Sequence, residues 1–162
     1  NGDVEYEIDD APARIQRDVV WRWLSSEAYW GRWRERSVLE AQLDAAWRVV
    51  GAYRADTGEQ IGFARAASDG ASFAYLADVF VVAEHQGAGV AHRILRRMID
   101  EGPGHDFRWT LFTRDAHSLY AEFGFETPDE TAMVRRASPA PPSASPGNSR
   151  PQNSCEGART AR

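Results

Sequence analysis

Residues 75–99 read YLADVFVVAEHQGAGVAHRILRRMI, and this stretch decides the fold. Its first part is mostly apolar, which is typical of a buried strand, and it ends shortly before a turn that contains two glycines. Apolar residues then recur at helical spacing between Val90 and Ile99. The stretch therefore predicts a strand, a tight glycine turn and a helix in immediate succession.

The sequence before this stretch predicts a short strand and two helices. Residues 4–8 alternate as a strand does, and apolar residues recur at helical spacing from about 15 to 27. Ser37 and Glu40 form an S-x-x-E capping box, a pattern that marks the start of a helix. We therefore expect the second helix to begin at this box.

Three strand-like runs follow the second helix and predict an antiparallel meander. The first two, at 47–54 and 60–67, are separated by a short polar turn. A turn at Asp69-Gly70 leads into the third run, at 72–82. Turns this short place consecutive strands side by side in opposite directions.

The chain after the glycine turn predicts a parallel crossover. A Gly-Pro-Gly run at 102–104 ends the helix, and residues 107–113 form the next strand. The order strand, helix, strand is typical of a parallel pair. Asp115 would cap a short helix, and residues 131–135 are expected to form a last strand. The predicted fold class is α+β.

Composition divides the 162 residues into a body at 1–137 and a tail. Residues 138–162 hold five of the eight prolines and no aromatic or branched aliphatic side chain, so we expect them to be disordered. The tail carries a net charge of +2 and the body carries −7. An acidic body argues against nonspecific binding to nucleic acid and favours a cationic ligand.

The residue types and the lengths of the apolar runs argue against lysine chemistry, metal binding and membrane insertion. All 19 basic residues are arginines, so a lysine Schiff base cannot form. The four histidines, at 85, 92, 105 and 117, show no helical ligand pair, and we expect no metal. No apolar run is long enough to cross a bilayer and no signal peptide is recognisable, so we expect a cytoplasmic protein without a membrane partner.

The glycine turn at 86–91 is a candidate anion site. The first backbone N–H groups of a helix lack intrahelical partners, and glycine lets a phosphate approach the backbone. A Walker loop is excluded because Gly89 is followed by Val90 and not by lysine. A dinucleotide fingerprint would need a third glycine in the place of His92. The alternative that this turn only connects a strand to a helix and binds no ligand is not excluded at this point.

Two separated motifs resemble one known family. The loop from Gln86 to Ala91, QGAGVA, matches Q/R-x-x-G-x-G/A, the acyl-CoA pyrophosphate loop of the GCN5-related N-acetyltransferase (GNAT) superfamily. Residues 115–125, DAHSLYAEFGF, resemble the family's N-x-x-A-x-x-x-Y-x-x-x-G-F stretch, with a shorter interval and with aspartate first. The resemblance implies a GNAT-like mixed sheet with N-terminal helices, an antiparallel meander and then β-α-β-α-β around the loop.

The resemblance also implies a site for acetyl-CoA. Backbone groups of Phe80 to Val82 would pair with the pantetheine arm, and the loop would hold the pyrophosphate. Asp115 cannot donate hydrogen bonds as the usual asparagine does, and its alternative role is the helix cap. The residues assigned to acetyl-CoA are Phe80, Val81, Val82, Gln86, Gly87, Ala88, Gly89, Val90, Ala91, His92, Arg93, Asp115 and Ser118.

Two catalytic residues follow from the resemblance. Tyr120 would be the general acid that protonates the departing thiolate, and its alternative is a core aromatic. Asp78 would accept the amine's proton, directly or through water, and its alternative is a strand aspartate hydrogen-bonded to neighbouring backbone or to an arginine. A backbone N–H between Phe80 and Val82 would stabilise the oxyanion.

The acceptor is expected to contact the segment between the two N-terminal helices. Tyr29, Trp30 and Trp33 would form an aromatic wall for an amine, or alternatively pack in the core. Arg32 and Arg34 could instead bind a carboxylate of the acceptor.

The resemblance implies an acetyl-CoA-dependent N-acetyltransferase that acts on an amine of a small molecule or a peptide. The alternatives are a non-catalytic acyl-CoA sensor and a nucleotide-binding module without acyl chemistry. Dimers are common in the family, so the resemblance is compatible with a homodimer.

Overall fold

A mixed five-stranded sheet forms the centre of the fold. The structure is a computed structural model, and it describes residues 3–26 and 34–138. The strands are β1 (Tyr6–Asp9), β2 (Arg48–Arg54), β3 (Gln60–Ser68), β4 (Phe73–Val81) and β5 (Arg108–Thr110). They lie in chain order, with antiparallel pairing from β1 to β4 and with β5 parallel to β4. The predicted meander and parallel crossover are therefore confirmed.

Helices cover the sheet on both faces. The α-helices of the described residues are α1 (Arg17–Ser26), α2 (Arg36–Ala45), α3 (Val90–Leu95) and α4 (His117–Ala121). A π-helical turn at Arg96–Asp100 continues α3, and short 3₁₀ turns lie at Pro12–Arg14 and Ala83–His85. No helix in this part of the chain is long and apolar enough to span a membrane.

Two apolar clusters attach these helices to the sheet. Val79 and Val81 of β4 belong to the cluster that contains the buried side of α3, whereas Phe80 belongs to the cluster of α1 and α2. Successive residues of a strand point to opposite faces, so the clusters lie on either side of the sheet. Trp23 of α1 stacks on Phe80 with ring centroids 4.4 Å apart, and this contact fixes α1 over β4.

A bulge interrupts the pairing of β3 with β4. Phe63 lies opposite Phe80 and Arg65 lies opposite Ala77, so two residues of β4 face the single residue between them on β3. One of these two is Asp78, whose φ of 56° lies in the left-handed region. A bulge of this kind bends a strand and redirects the residues that follow it.

The sequence was misleading at three element ends. α2 begins at Arg36 after Glu35, without a side-chain cap, so the predicted capping box of Ser37 does not form. Ala116, not Asp115, is the residue before α4, and no side chain caps that helix. Residues 132–138 form no strand and are exposed, so the predicted last strand is wrong.

Some predictions fall outside the described residues. They include the acceptor wall of Tyr29, Trp30 and Trp33, and all of the predicted tail except Ser138. The division into a body and a disordered tail therefore stays a prediction.

Candidate functional site

The glycine turn lies between the end of β4 and the start of α3. Gly87 has a φ of 85° and Gly89 a φ of 76°, both in the left-handed region that favours glycine. A Cβ atom added at either glycine would meet nothing within 4 Å. The space beside both glycines is therefore empty, and a ligand can approach the backbone there because glycine has no side chain.

The start of α3 leaves backbone donors at this turn. Gly89 is the N-cap of α3, and no side chain bonds to the helix end. The first backbone N–H groups of the helix lack intrahelical acceptors, and the helix dipole adds partial positive charge there. Together these features make an anion site at the turn.

Neighbouring side chains brace the turn. Gln86 Nε2 donates to the carbonyl oxygen of Val81 at 2.9 Å and so ties the turn to the end of β4. The Tyr6 hydroxyl lies 2.7 Å from Nδ1 of His85, and Arg93 Nη2 donates to the carbonyl oxygen of Tyr6 at 3.1 Å. The sequence assigned Gln86 and Arg93 to the cofactor and did not find the contribution of β1. These contacts leave the turn's backbone, not the Gln86 side chain, as the exposed polar surface.

An open depression of about 620 Å³ lies beside the turn, between β1 and the first turn of α3. It is lined by Asp3, Val4, Glu5, Tyr6, Ala88 and Arg93. The chain before β1 thus supplies one wall and the glycine turn supplies the other. A ligand at the turn would have room to extend toward the N-terminal segment.

The edge of β4 nearest the turn is not paired with β5. β5 pairs with β4 only from Phe73 to Tyr75 and ends at Thr110. Between Leu76 and Val81 the described residues pair β4 with β3 alone. Backbone groups on the other edge of this part are therefore available to an extended ligand, as an added strand would use them. Val81 has its N–H at this edge, whereas the Val82 N–H donates to the carbonyl oxygen of Ile61 on β3 at 2.8 Å. Because backbone groups alternate between the two edges of a strand, those of Phe80, which lies opposite Phe63, also face β3. The role of these three residues in holding a pantetheine arm stays a prediction.

Tyr120 lies in the core on the same side of β4 as α3. It is buried, with 1% of its surface exposed, and belongs to the same core cluster as Val79, Val81 and Val90. Its ring packs edge to face against Phe125 at 5.8 Å between centroids. The fold thus brings Tyr120 to the side of β4 that carries α3.

The other predicted residues of this region are exposed. Asp115 and Ser118 lie at the start of α4 with exposed side chains. His92 Nε2 lies 2.6 Å from Glu122 Oε2, so α3 and the end of α4 are joined by a polar contact. None of these residues is buried.

Asp78 is fully buried in an ionic cluster. Arg34 donates to both carboxylate oxygens at 2.9 Å, through Nη1 and Nη2, and Arg65 Nε donates to Oδ2 at 2.6 Å. Burial alone would raise the pKa of the Asp78 carboxyl, but the charges and hydrogen bonds of the two arginines lower it to about 2. A carboxylate in this state is a poor proton acceptor. The structure therefore argues against Asp78 as the base and favours the alternative of an arginine-bound aspartate.

Sequence reasoning missed both partners of Asp78. Arg65 is the one charged residue in the otherwise apolar run of β3, and Asp78 has the same place in β4. Two opposite charges in adjacent buried strands are expected to pair, because either one alone would be costly. This pattern was the available signal for Arg65, whereas nothing in the spacing indicated Arg34.

Metal ligation has no support in the described ranges, where no three His, Cys, Asp or Glu side chains are grouped as a metal site would require.

Comparisons with known proteins agree with this geometry. The family model of the acetyltransferase (GNAT) domain matches residues 46–127. A curated protein of Gibberella zeae, named as a putative acetyltransferase, is 31% identical over 124 residues, which cover 75% of this chain and 66% of that protein. The chain thus spans just under two thirds of this relative's length.

Solved structures show the same fold. A crystal structure from Xanthomonas campestris, titled as a putative acetyltransferase of the GNAT family, superposes with a TM-score of 0.75 at 30% identity and covers 83% of this chain and 94% of its own. A second structure, titled as a putative acetyltransferase from Deinococcus radiodurans, has a TM-score of 0.62 at 23% identity. The match covers 81% of this chain and 87% of that one. Family model, sequence relative and fold agree, and the chain belongs to the GNAT acetyltransferase family.

Proposed function

We propose that this protein is an acetyl-CoA-dependent N-acetyltransferase whose acceptor is an amine of a small molecule or a peptide. The observation that carries the proposal is the glycine turn, which joins the unpaired edge of β4 to the uncapped start of α3. The edge offers backbone groups to a pantetheine arm, and the turn offers N–H donors to a pyrophosphate. Acyl-CoA molecules, acetyl-CoA among them, carry a pantetheine arm and a pyrophosphate in one chain.

Acetyl-CoA supplies an acetyl thioester, which an unprotonated amine attacks to give an amide and a free thiol. The backbone N–H of Val81 would stabilise the negative charge that develops on the carbonyl oxygen. The phenol of Tyr120 would donate its proton to the departing sulfur. The amine nitrogen becomes positively charged as it attacks, and because Asp78 is unsuited to the task, the proton that this nitrogen loses would pass to water.

The proposal is tested by thiol release from acetyl-CoA across a panel of amines, amino acids, aminoglycosides and peptides. Release that depends on one acceptor class would support it and name the substrate. Tight CoA binding without release for every acceptor would instead support a non-catalytic acyl-CoA sensor. Absence of CoA binding would contradict both functions.

Replacing Tyr120 tests the acid directly. We expect Tyr120→Phe to lower kcat by about a hundredfold, which is typical of losing a general acid, with acetyl-CoA affinity nearly unchanged. Tyr53→Phe is a matched control, because Tyr53 is also fully buried and its hydroxyl has no hydrogen-bond partner in the described part of the chain. Equal kcat values for the two variants and the wild type would remove Tyr120 from the mechanism.

A further inference from the structure

The ionic cluster of Asp78 adjoins the part of β4 that the proposed function uses. We propose that Asp78, Arg34 and Arg65 are positioning residues, which hold the β4 bulge and thereby orient the backbone of Val79–Val81 toward the thioester. This inference rests on the proposed function, since it assigns the cluster a part in that reaction. None of the three side chains needs to contact a substrate in this role.

The first step of the argument is the backbone of Asp78. Its φ of 56° makes it the one non-glycine residue with positive φ in the described ranges. Such a conformation is strained for a residue with a side chain and persists only where the surroundings impose it. Local sequence does not impose it, because Ala77 and Val79 on either side favour ordinary strand geometry.

The second step is the way in which the carboxylate is held. Arg34 lies just before α2 and Arg65 lies on β3, so the two guanidinium groups reach Asp78 from different elements. Both oxygens of the carboxylate are occupied, and the side chains of all three residues are at most 8% exposed. The carboxylate is thus fixed at two points, which leaves its backbone little freedom to return to an extended strand.

The third step links the bulge to the site. Val79–Val81 follow Asp78 directly and include the unpaired edge of β4. The φ and ψ of one residue set the direction of the peptide groups that follow it, and hydrogen-bond donors stabilise a developing charge only when they are aimed at it. A change at Asp78 would therefore turn donors away from the thioester without altering the glycine turn.

The central test replaces Asp78 by asparagine, which has nearly the same size and also tolerates positive φ. The substitution removes the charge that balances two buried guanidinium groups. We expect kcat to fall at least about tenfold because donors at the thioester are misaligned. The Kd for acetyl-CoA should rise by a clearly smaller factor than kcat falls, because contacts of the pyrophosphate with the glycine turn remain. Asp18→Asn, which removes the exposed ion pair with Arg36, should change neither value.

Substitutions at Arg65 separate positioning from simple stabilisation. Arg65 makes a single hydrogen bond to Asp78, so Arg65→Lys, which keeps the charge and a donor, should keep most of the activity, whereas Arg65→Gln, which removes the charge, should lose it. In the Asp78→Asn background, Arg65→Gln removes one uncompensated cation and should raise Tm while kcat stays low. Recovery of kcat in step with Tm would overturn the positioning role. If Asp78→Asn does not fold, wild-type kcat in Arg65→Gln would overturn it as well.

Amide NMR shifts distinguish failure of this inference from failure of the proposed function. On adding acetyl-CoA, wild-type protein should show shifts at Gly87 and Gly89 of the turn and at Val81 of the edge. Asp78→Asn should lose the shifts at the edge and keep those at the turn. The same edge shifts in both proteins would overturn the inference, whereas wild-type shifts without turnover would contradict only acetyl transfer. Absence of all shifts in the wild type would overturn both.

Discussion

Gly89 shows how much of the site depends on the absence of a side chain. It adopts a φ of 76° directly before α3, with open space where a Cβ would lie. Alanine there would strain the backbone and place a methyl group where the pyrophosphate is proposed to bind. We expect Gly89→Ala to weaken acetyl-CoA binding by about tenfold or more, the equivalent of one charge-assisted hydrogen bond, as measured by calorimetry.

The control for this change is Gly58→Ala in the turn between β2 and β3. Gly58 has a φ of 73° and, like Gly89, has nothing within 4 Å of an added Cβ. Both substitutions should therefore cost similar stability, on the order of 1 kcal/mol. Equal acetyl-CoA affinity in the two variants would show that the turn at Gly89 does not approach the ligand.

Asp78 marks the limit of prediction at the level of single residues. Its position inside an apolar strand indicated that the carboxylate has a specific partner, but not whether that partner is a substrate or another side chain. Arg34 lies 44 positions away in sequence and Arg65 lies 13 away across a bulge. Contacts over such separations depend on the packing of α2 and β3, which local patterns do not encode.

At the scale of elements, α3 and β3 meet at a close contact. A Cβ added to Gly62 of β3 would lie 2.8 Å from Cδ1 of Ile94 and 3.2 Å from the carbonyl oxygen of Phe80. We expect Gly62→Ala to destabilise the protein by about 1 to 3 kcal/mol, as overpacking does, and to weaken acetyl-CoA binding by displacing α3. Chemical denaturation and calorimetry measure the two effects.

A compensating change makes this prediction specific. Ile94→Val removes Cδ1, the atom nearest the added methyl group. The double variant Gly62→Ala/Ile94→Val should therefore be more stable than the sum of the two single effects indicates. Strict additivity would mean that the backbone of β4, and not α3, limits the space at Gly62.

Element prediction succeeded where burial sets the pattern and failed where a local motif was the only guide. Leu39 and Leu43 are buried and fix the side of α2 that faces the sheet, so the helix itself was predictable. Its capping box was not, because a cap contributes about 1 kcal/mol and core packing contributes more. The predicted last strand contains Met133 and Val134, whose side chains are 94% and 56% exposed and find no apolar surface.

For the whole molecule, the two core clusters show which part of the chain contributes to the buried core. Every member of either cluster, with the partly buried side chains packed on it, lies between Tyr6 and Phe125. Residues 126–138 are exposed along their whole length. The fold of the described residues is therefore complete, in terms of buried apolar surface, well before the proline-rich segment begins.

Truncation after Ser138 tests this boundary. Because the segment beyond it is poor in apolar side chains, we expect the shortened chain to keep its Tm within about 2 °C, as surface changes generally do, and to bind acetyl-CoA as the full chain does. Truncation after Glu122 is the contrasting variant, since it removes Phe123 and Phe125 from the α3 side of the core and should lower Tm by several degrees. A drop in Tm for the first truncation would show that residues after 138 pack on the body, and would contradict their assignment as a disordered tail.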